Sequence, residues 1–369
     1  MKKLLILSLI LLQACFTKKA ELTPGIWRLT IKSEVVDIPA FIEVQDQQNI
    51  FLLRGEEKFK LERLTSSADS EIRLGMHIFD SELVLNKITH DTANGSWIRN
   101  DKTPVQEYKV VLEFGKKTLF DLPAEKESID ITGNWRWIFD SGTEKESEVL
   151  GIFKQVGNQV KGSLASSTGD YGLIEGTVFD KQMKMANFDG VFAFVISARL
   201  EEGTLKGEFY TTSGVKNFLA VKDPTAKLPD PADQTKAIKG KAFDFKLPSV
   251  TGAMVSLQDA RYLDKPVILQ IYGSWCPNCL DEVKFLSKWY KDNKALGVEI
   301  LALSFERTTS MERAKANIQK SIQRFNIEYD FLVAGFDNTV KPEQILPLEN
   351  FISFPTTIFL NKKHEVVSI

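Results

Sequence analysis

"KPVILQIYGSWCPNC", residues 265–279, runs from an unbroken apolar stretch into a glycine, a tryptophan and two cysteines separated by two residues. The stretch "VILQIY" suits a strand buried on both faces of a parallel sheet. The residues that follow, "CPNCLDEVKFLSKWYKDNKALG" (276–297), bring Leu280, Val283, Leu286 and Tyr290 near one side of a helix. Cys276 therefore falls at a strand-to-helix junction, with Pro277 where a first helical residue belongs. The free N–H groups and dipole of that helix favour a thiolate at Cys276 and make it a nucleophile. Cys279, one turn along and less exposed, is placed to attack the mixed disulfide that results.

The cysteine count narrows the chemistry. The chain has three cysteines, and the third, Cys15, lies in an N-terminal segment of its own. A disulfide between Cys276 and Cys279 closes so short a loop that it removes little entropy from the unfolded chain, so a purely structural role explains it poorly. Zinc needs about four ligands, and His77, His90 and His364 stand at no ligand spacing to one another. No metal site is expected. Redox chemistry is the reading that survives.

Working outward, "VEILALSFE" (298–306) reads as a second buried strand and "RTTSMERAKANIQKSIQRFN" (307–326) as a charged helix with a solvated face. "YDFLVAG" (329–335) is a further strand, "KPEQILPLENF" (341–351) a further helix candidate, and "TTIFL" with "EVVSI" a closing hairpin at the sheet edge. Strands alternating with helices predict an α/β domain over 241–369, with helices on both faces of its sheet. Before it, "KDPTAKLPDPADQTKAIKG" (222–240) has three prolines and no large apolar cluster, as a linker does.

Residues 15–221 read as an all-β region. "FIEVQDQQNIFLLR" and "GIFKQVGNQVKGSLA" are hairpins, the second turning at Gly157 and Asn158. The region also parallels itself at an offset of about 110 residues. "GIWRLTI" at Gly25 matches "GNWRWIF" at Gly133, "IEVQDQQNI" at Ile42 matches "IFKQVGNQV" at Ile152, and "NGSWIR" near Gly95 matches "KGEFYT" near Gly207. Two repeats, 22–125 and 130–221, would give two small barrels or sandwiches, or one larger β structure made from two halves. The competing explanation is that Gly-aromatic openings are common to any β-rich stretch. Trp27, Trp97, Trp135 and Trp137 are read as core residues rather than a ligand surface. Glu56 and Glu57 read as solvated, with no spacing that argues for acid-base catalysis.

At 369 residues, 43% hydrophobic and 26% charged, the chain is expected to form two or more packed domains. Its formal net charge of -2 gives no general attraction to nucleic acid or to anionic membranes. The start is different: Lys2 and Lys3 precede an apolar run from Leu4 to Leu12, too short to span a bilayer and laid out as an export signal over residues 1–14. Leu12, Gln13, Ala14 and Cys15 resemble a bacterial lipobox, in which the cysteine is lipidated and begins the mature chain. An ordinary signal peptide with an incidental cysteine is the plainer alternative. Either way the mature protein is expected outside the cytoplasm, where disulfides persist. With lipid on Cys15, it would sit on a bacterial cell-envelope membrane and face the periplasm.

On these features, residues 240–369 resemble the thioredoxin-like domain of the TlpA/ResA type, membrane-anchored extracytoplasmic thiol-disulfide oxidoreductases of the redoxin superfamily. "GKAFDFKLPSVTGAMVSLQD" matches the lead-in, "KPVILQIYGSWCPNC" the strand and active site, "VEILALSFE" the next strand and "FPTTIFLNKKHEVVSI" the proline loop and hairpin. The resemblance implies Cys276 as attacking and Cys279 as resolving thiol, cycling through a Cys276–Cys279 disulfide without a cofactor. It implies a cis-proline at Pro355, leaving the backbone of Phe354 to pair with an extended substrate, and an acidic residue at Glu282 that shuttles the proton of Cys279. A favourable charge in the helix's first turns explains Glu282 equally well. Trp275 is expected to pack beside the dithiol. Protein thiols and disulfides are the implied substrates, with a membrane redox partner to recycle the dithiol. Gln270 stands where thioredoxin carries a buried aspartate, and the chain stops at Ile369, before the family's closing helix.

Two other readings compete. A peroxiredoxin-like thiol peroxidase shares the fold, but its PxxxTxxC pattern would need Pro and Thr where Leu269 and Gly273 stand. A non-enzymatic lipoprotein holding copper(I) on the two thiolates and docking a partner through its β half is chemically reasonable, although no Met or His lies close in sequence to complete the site. In the redox reading the β half is a spacer and docking module.

Overall fold

The computed structural model describes residues 19–121, 129–228 and 235–369; residues 1–14, read above as an export signal, and Cys15 lie outside the described residues. The first repeat builds a closed eight-stranded barrel, each strand antiparallel to the next. Its strands are β1 (Gly25–Lys32), β2 (Asp37–Val44), β3 (Ile50–Arg54), β4 (Glu57–Leu64), β5 (Ile72–Gly75), β6 (Ser81–Asn86), β7 (Thr92–Arg99) and β8 (Gln106–Phe114), and β8 returns to pair with β1. Closure leaves no free strand edge, and alternation such as buried-half-buried along β3 sends every second side chain inward. Trp27, Leu29, Leu74, Leu83, Trp97 and Leu112 fill the interior.

The strands from Gly133 to Lys222 build a second ring of the same kind. Its strands are β9 (Gly133–Phe139), β10 (Ser147–Val156), β11 (Gln159–Ser166), the two-residue β12 (Gly169–Asp170), β13 (Ile174–Phe179), β14 (Gln182–Phe188), β15 (Ala193–Glu201), β16 (Thr204–Thr211) and β17 (Val215–Lys222). β10 pairs with β11, and β17 pairs with β9, so eight of the nine strands form a ring, with β12 hung on the end of β11. The two barrels correspond in detail. Trp27 in the first strand donates its indole N–H to Thr23 O at 2.8 Å, and Trp135 in the other first strand donates to Ile131 O at 2.8 Å. In each seventh strand a glycine meets the neighbouring backbone: a Cβ on Gly95 would lie 1.9 Å from Val84 O, and one on Gly207 would lie 2.3 Å from Ser197 O. All four tryptophans read as core are buried. The barrels pack on each other through Trp97 and Phe188, whose rings meet edge-on at 5.0 Å.

The C-terminal domain starts earlier than the linker boundary at 240 suggests, because β18 (Lys236–Ala237) pairs with β24 (Leu348–Glu349). A second ribbon joins β19 (Lys246–Pro248) to β20 (Met254–Ser256). The main sheet runs β23-β22-β21-β25-β26, with β21 (Val267–Tyr272), β22 (Glu299–Phe305) and β23 (Asp330–Gly335) parallel, and β25 (Thr356–Leu360) and β26 (Val366–Ser368) antiparallel. The helices are α1 (Pro277–Asn293), α2 (Met311–Phe325) and the single turn α3 (Pro342–Ile345). The expected layering on both faces is present but unequal. α1 and α2 both cover the face carrying Ile268, Tyr272, Ile300 and Phe331. The opposite face, with Leu269, Ile271 and Leu303, meets the single turn α3 through Ile345 and is otherwise sealed by Phe243, Phe245, Tyr262 and Leu348 from irregular segments and the short ribbon strand β24. Large side chains on loops bury that face as well as a long helix would.

α2 also departs from a solvated helix, because its Arg313 pairs with Asp80 of the first barrel at 2.7 Å. Leu280 of α1 packs with Ile78 and Phe79 from the first barrel and Val191 from the second. Asn278 Nδ2 donates to the carbonyl of Asp170 in β12 at 3.3 Å. Both barrels therefore rest against the first turns of α1, without the separation that a spacer would maintain.

His77 lies in this contact, with its ring between the edges of Phe59 and Phe325 at 5.8 and 6.1 Å. Burial, with Arg324 and Lys284 nearby, pulls its pKa down to about 4. The unfolded chain, titrating near 6.5, then binds the proton that the folded chain refuses, so stability is full above 6.5 and is lost as pH falls towards 4. His77→Asn keeps a residue tolerant of the left-handed backbone there, where φ is 54°. Chemical denaturation should show the wild type losing at most about 3 kcal/mol relative to His77→Asn between neutral pH and about 4; parallel pH profiles would refute the burial of this ring.

Candidate active site

Cys276 is the N-cap of α1, with extended backbone at φ -103° and ψ 113°, and Pro277 follows at the first position. Its sulfur accepts the amide N–H of Cys279 at 3.2 Å, one of the donors that a helix start leaves unpaired. Cys276 Sγ in turn lies 3.5 Å from the carbonyl of Phe354, to which its thiol donates, and the Phe354–Pro355 peptide is cis. Both cysteines are free thiols here. Cys276 is 6% exposed and Cys279 fully buried. Burial pushes the Cys279 thiol well above its ordinary range, and the neighbouring Cys276 and Glu282 push it the same way.

The turn before Cys276 is clamped. Trp275 donates its indole N–H to Phe305 O at 2.9 Å and meets Phe354 edge-on at 5.2 Å. A Cβ on Gly273 would lie 2.5 Å from that indole nitrogen, so no side chain fits there. Ser274 donates both its N–H (3.0 Å) and its hydroxyl (2.5 Å) to Glu306, which also accepts from Ser304 Oγ at 2.6 Å. Glu306 is buried at the end of β22, and desolvation raises its pKa in spite of these donors. Over the outer side of Trp275 lies Arg307, its guanidinium carbon 3.3 Å from the ring centroid.

Glu282 lies on the next turn of α1, between Gln270 and Thr357. Gln270 Nε2 donates to one carboxylate oxygen at 2.7 Å and the Thr357 hydroxyl to the other. Gln270 and Thr357 face each other across β21 and β25, so the sheet itself presents both donors. Desolvation raises the Glu282 pKa against these two bonds.

The structure brings Cys276, Cys279, Trp275, Glu282, Phe354 and Pro355 together at the head of α1, and Cys15 lies outside the described residues. Glu306 and Arg307 were missed. Their signal was the pair "ER" directly after "LALSF", two charges at the end of a strand buried on both faces. For Glu306 the sign of the pH effect opposes that of His77. A carboxyl held above 4.5 keeps its proton in the folded chain while the unfolded chain ionises, so stability declines as pH rises through 4.5 towards the raised value. Glu306→Gln has no such titration, and its denaturation midpoint should gain steadily on the wild type over that interval. A constant difference between the two would mean that Glu306 is already ionised in the folded state.

The model of the AhpC/TSA family matches residues 238–369. Thiol-disulfide oxidoreductase ResA of Geobacillus kaustophilus is 29% identical over 133 residues, 36% of this chain and 68% of the relative. Thioredoxin-like protein YneN of Bacillus subtilis is 30% identical over 129 residues, 35% of this chain and 68% of the relative. Among solved structures, a thiol-disulfide oxidoreductase from Bacteroides fragilis superposes with a TM-score of 0.30 at 18% identity, covering 35% of this chain and 88% of its own. With the dithiol at the head of α1 and these relatives beside it, the chain belongs through residues 238–369 to the thioredoxin-like thiol-disulfide oxidoreductases and is an oxidoreductase.

Proposed function

We propose that the protein is an extracytoplasmic, membrane-anchored enzyme that exchanges disulfides with protein substrates through Cys276 and Cys279. One observation carries this reading: the Cys276 sulfur caps α1 and lies beside the Phe354 carbonyl, with Cys279 buried one turn behind. In the reductive direction the Cys276 thiolate attacks a substrate disulfide. A mixed disulfide forms and the first substrate thiolate leaves. Cys279 then gives up its proton and attacks the Cys276 sulfur, which closes the Cys276–Cys279 disulfide and frees the second substrate thiolate. The oxidative direction is the same sequence reversed.

Burial makes the Cys279 thiolate costly, so a proton acceptor has to be near, and Glu282 is the carboxylate whose charge acts on it. Trp275 and Phe354 wall the sulfur, and the backbone beside Pro355 offers the extended edge on which a polypeptide substrate would pair. A membrane redox partner would regenerate the dithiol, and Cys15 would carry the lipid. The matched tryptophan caps and seventh-strand glycines of the barrels support an origin by internal duplication.

The family description AhpC/TSA favours a second reading, thiol peroxidase. Against it, the place of the threonine in that motif is Gly273, where the Trp275 indole leaves no room for a side chain. Cys279→Ala should hold protein substrates on Cys276 as mixed disulfides that dithiothreitol releases, while Cys276→Ser should capture none. Peroxide turnover by the wild type without a thiol partner, lost in Cys276→Ser, would instead establish the peroxidase.

A further inference from the structure

Arg307 and Lys102 come from different domains and reach the same place. Arg307 leaves the end of β22 and lies flat on Trp275, the residue before the nucleophile. Lys102 sits in the turn between β7 and β8 of the first barrel, tied by its N–H to Arg99 O at 3.4 Å. That turn is held over the redox domain by Asp80, whose carboxylate accepts from Arg313 (2.7 Å) and Asn317 (3.5 Å) of α2 and whose carbonyl accepts the Asp101 amide at 3.0 Å. Both cations are half-buried, and the charge of Arg307 acts on Lys102: burial and the neighbouring Arg99 and Arg307 lower the Lys102 pKa against the pull of Asp101.

Neither side chain bonds a counter-ion among the described residues, although the charge of Asp101 reaches both. Among the described residues no hydrogen bond or ion pair is made by the side chain of Arg307 or Lys102. The carboxylates close by are committed elsewhere. Asp101 takes both oxygens to Arg99, at 2.7 and 2.6 Å; Asp80 is paired with Arg313; Glu306 is taken up by Ser274 and Ser304. Half-buried cations without partners are costly unless an anion visits them. A guanidinium stacked on an aromatic ring keeps its planar edge of donors free for a carboxylate.

We propose that Arg307 and Lys102 form a subsite beside Cys276 that receives an acidic side chain flanking the reactive cysteine of a polypeptide substrate. The inference rests on the disulfide-exchange reading and adds to it a substrate class: disulfides in acidic sequence. It also gives the first barrel a part in the reaction, since half of the subsite belongs to it.

The test uses the full chain and disulfide-bonded peptides that differ only in carrying Glu, Gln or Lys two residues from the cysteine, with blocked termini. The wild type should exchange with the Glu peptide roughly tenfold faster than with the Gln peptide at low salt, chiefly through KM, and slowest with the Lys peptide. Raising ionic strength should shrink the ratio. Lys102→Gln and Arg307→Gln should each lower it, the double variant should abolish it, and Arg307→Lys should restore part of it, while rates on the Gln peptide report general damage to the site. Equal rates for Glu and Gln peptides in the wild type, or an undiminished preference in the double variant, would overturn the subsite alone. A preference shown for glutathione disulfide over an uncharged small disulfide, but not for the Glu peptide, would assign the cations to a small thiol and overturn the polypeptide class. No exchange with any peptide would overturn the redox reading itself.

Discussion

The single bond on which the site depends is the one from the Cys279 amide to the Cys276 sulfur. A helix start leaves its first amides unpaired, and here a reactive sulfur supplies one of the missing acceptors. For that to happen α1 must begin at one residue and no other, and β21 determines which. All six of its side chains are buried, between a parallel neighbour on one edge and an antiparallel one on the other. A slip of one residue would exchange the two faces of the central strand, which neither apolar layer would tolerate. Three of the four residues between strand and helix are then consumed in fixing the turn, Gly273 by having no side chain, Ser274 by Glu306 and Trp275 by the Phe305 carbonyl, and the fourth, Cys276, is the cap.

Two half-buried or buried carboxyls flank this turn, and their surroundings separate their tasks. Glu306 receives three hydrogen bonds, two from the single residue Ser274, and is built into the backbone path. Glu282 receives one donor at each oxygen from opposite strands and lies within electrostatic reach of Cys279. A carboxyl held from two sides by neutral donors can change its protonation without losing its place. Gln270 takes part in this arrangement differently from the aspartate that thioredoxin carries in that position. It titrates nothing, yet it orients the group that does.

How far the sequence carries can be judged residue by residue. The dithiol, Pro277, the buried helix face of Leu280, Val283, Leu286 and Tyr290, and the Gly157 hairpin were all readable, because each rests on contacts within a few residues. The tryptophan cores followed from alternation. Barrel closure was legible only as one option among several, since the pairings of β1 with β8 and of β9 with β17 join strands at opposite ends of each repeat. Nothing local marks such a pair. For the same reason the helical layering was legible only in part: an α/β pattern tells that a sheet face is covered, not that the second face meets only the single turn α3 and is otherwise closed by Phe243 and Tyr262 on irregular segments. Nothing near Arg313, Asn278 or Leu280 in the sequence marks their contacts with the barrels, because those partners lie far away in the chain.

That long-range docking changes what kind of enzyme the chain can be. A thioredoxin-like domain alone presents its first cysteine on an open surface, and a partner is chosen by whatever fits there. Here Asn278, between the two cysteines, is held by β12, Leu280 is covered by both barrels, and Trp275 carries a cation on its outer side. Three directions around the nucleophile are thus occupied by this chain, leaving the side of Phe354 and Pro355 for an extended segment. Under the disulfide-exchange proposal, an extended segment is then the form of substrate that this geometry favours, and the preference would come from where the barrels rest without any change in the chemistry of the two thiols.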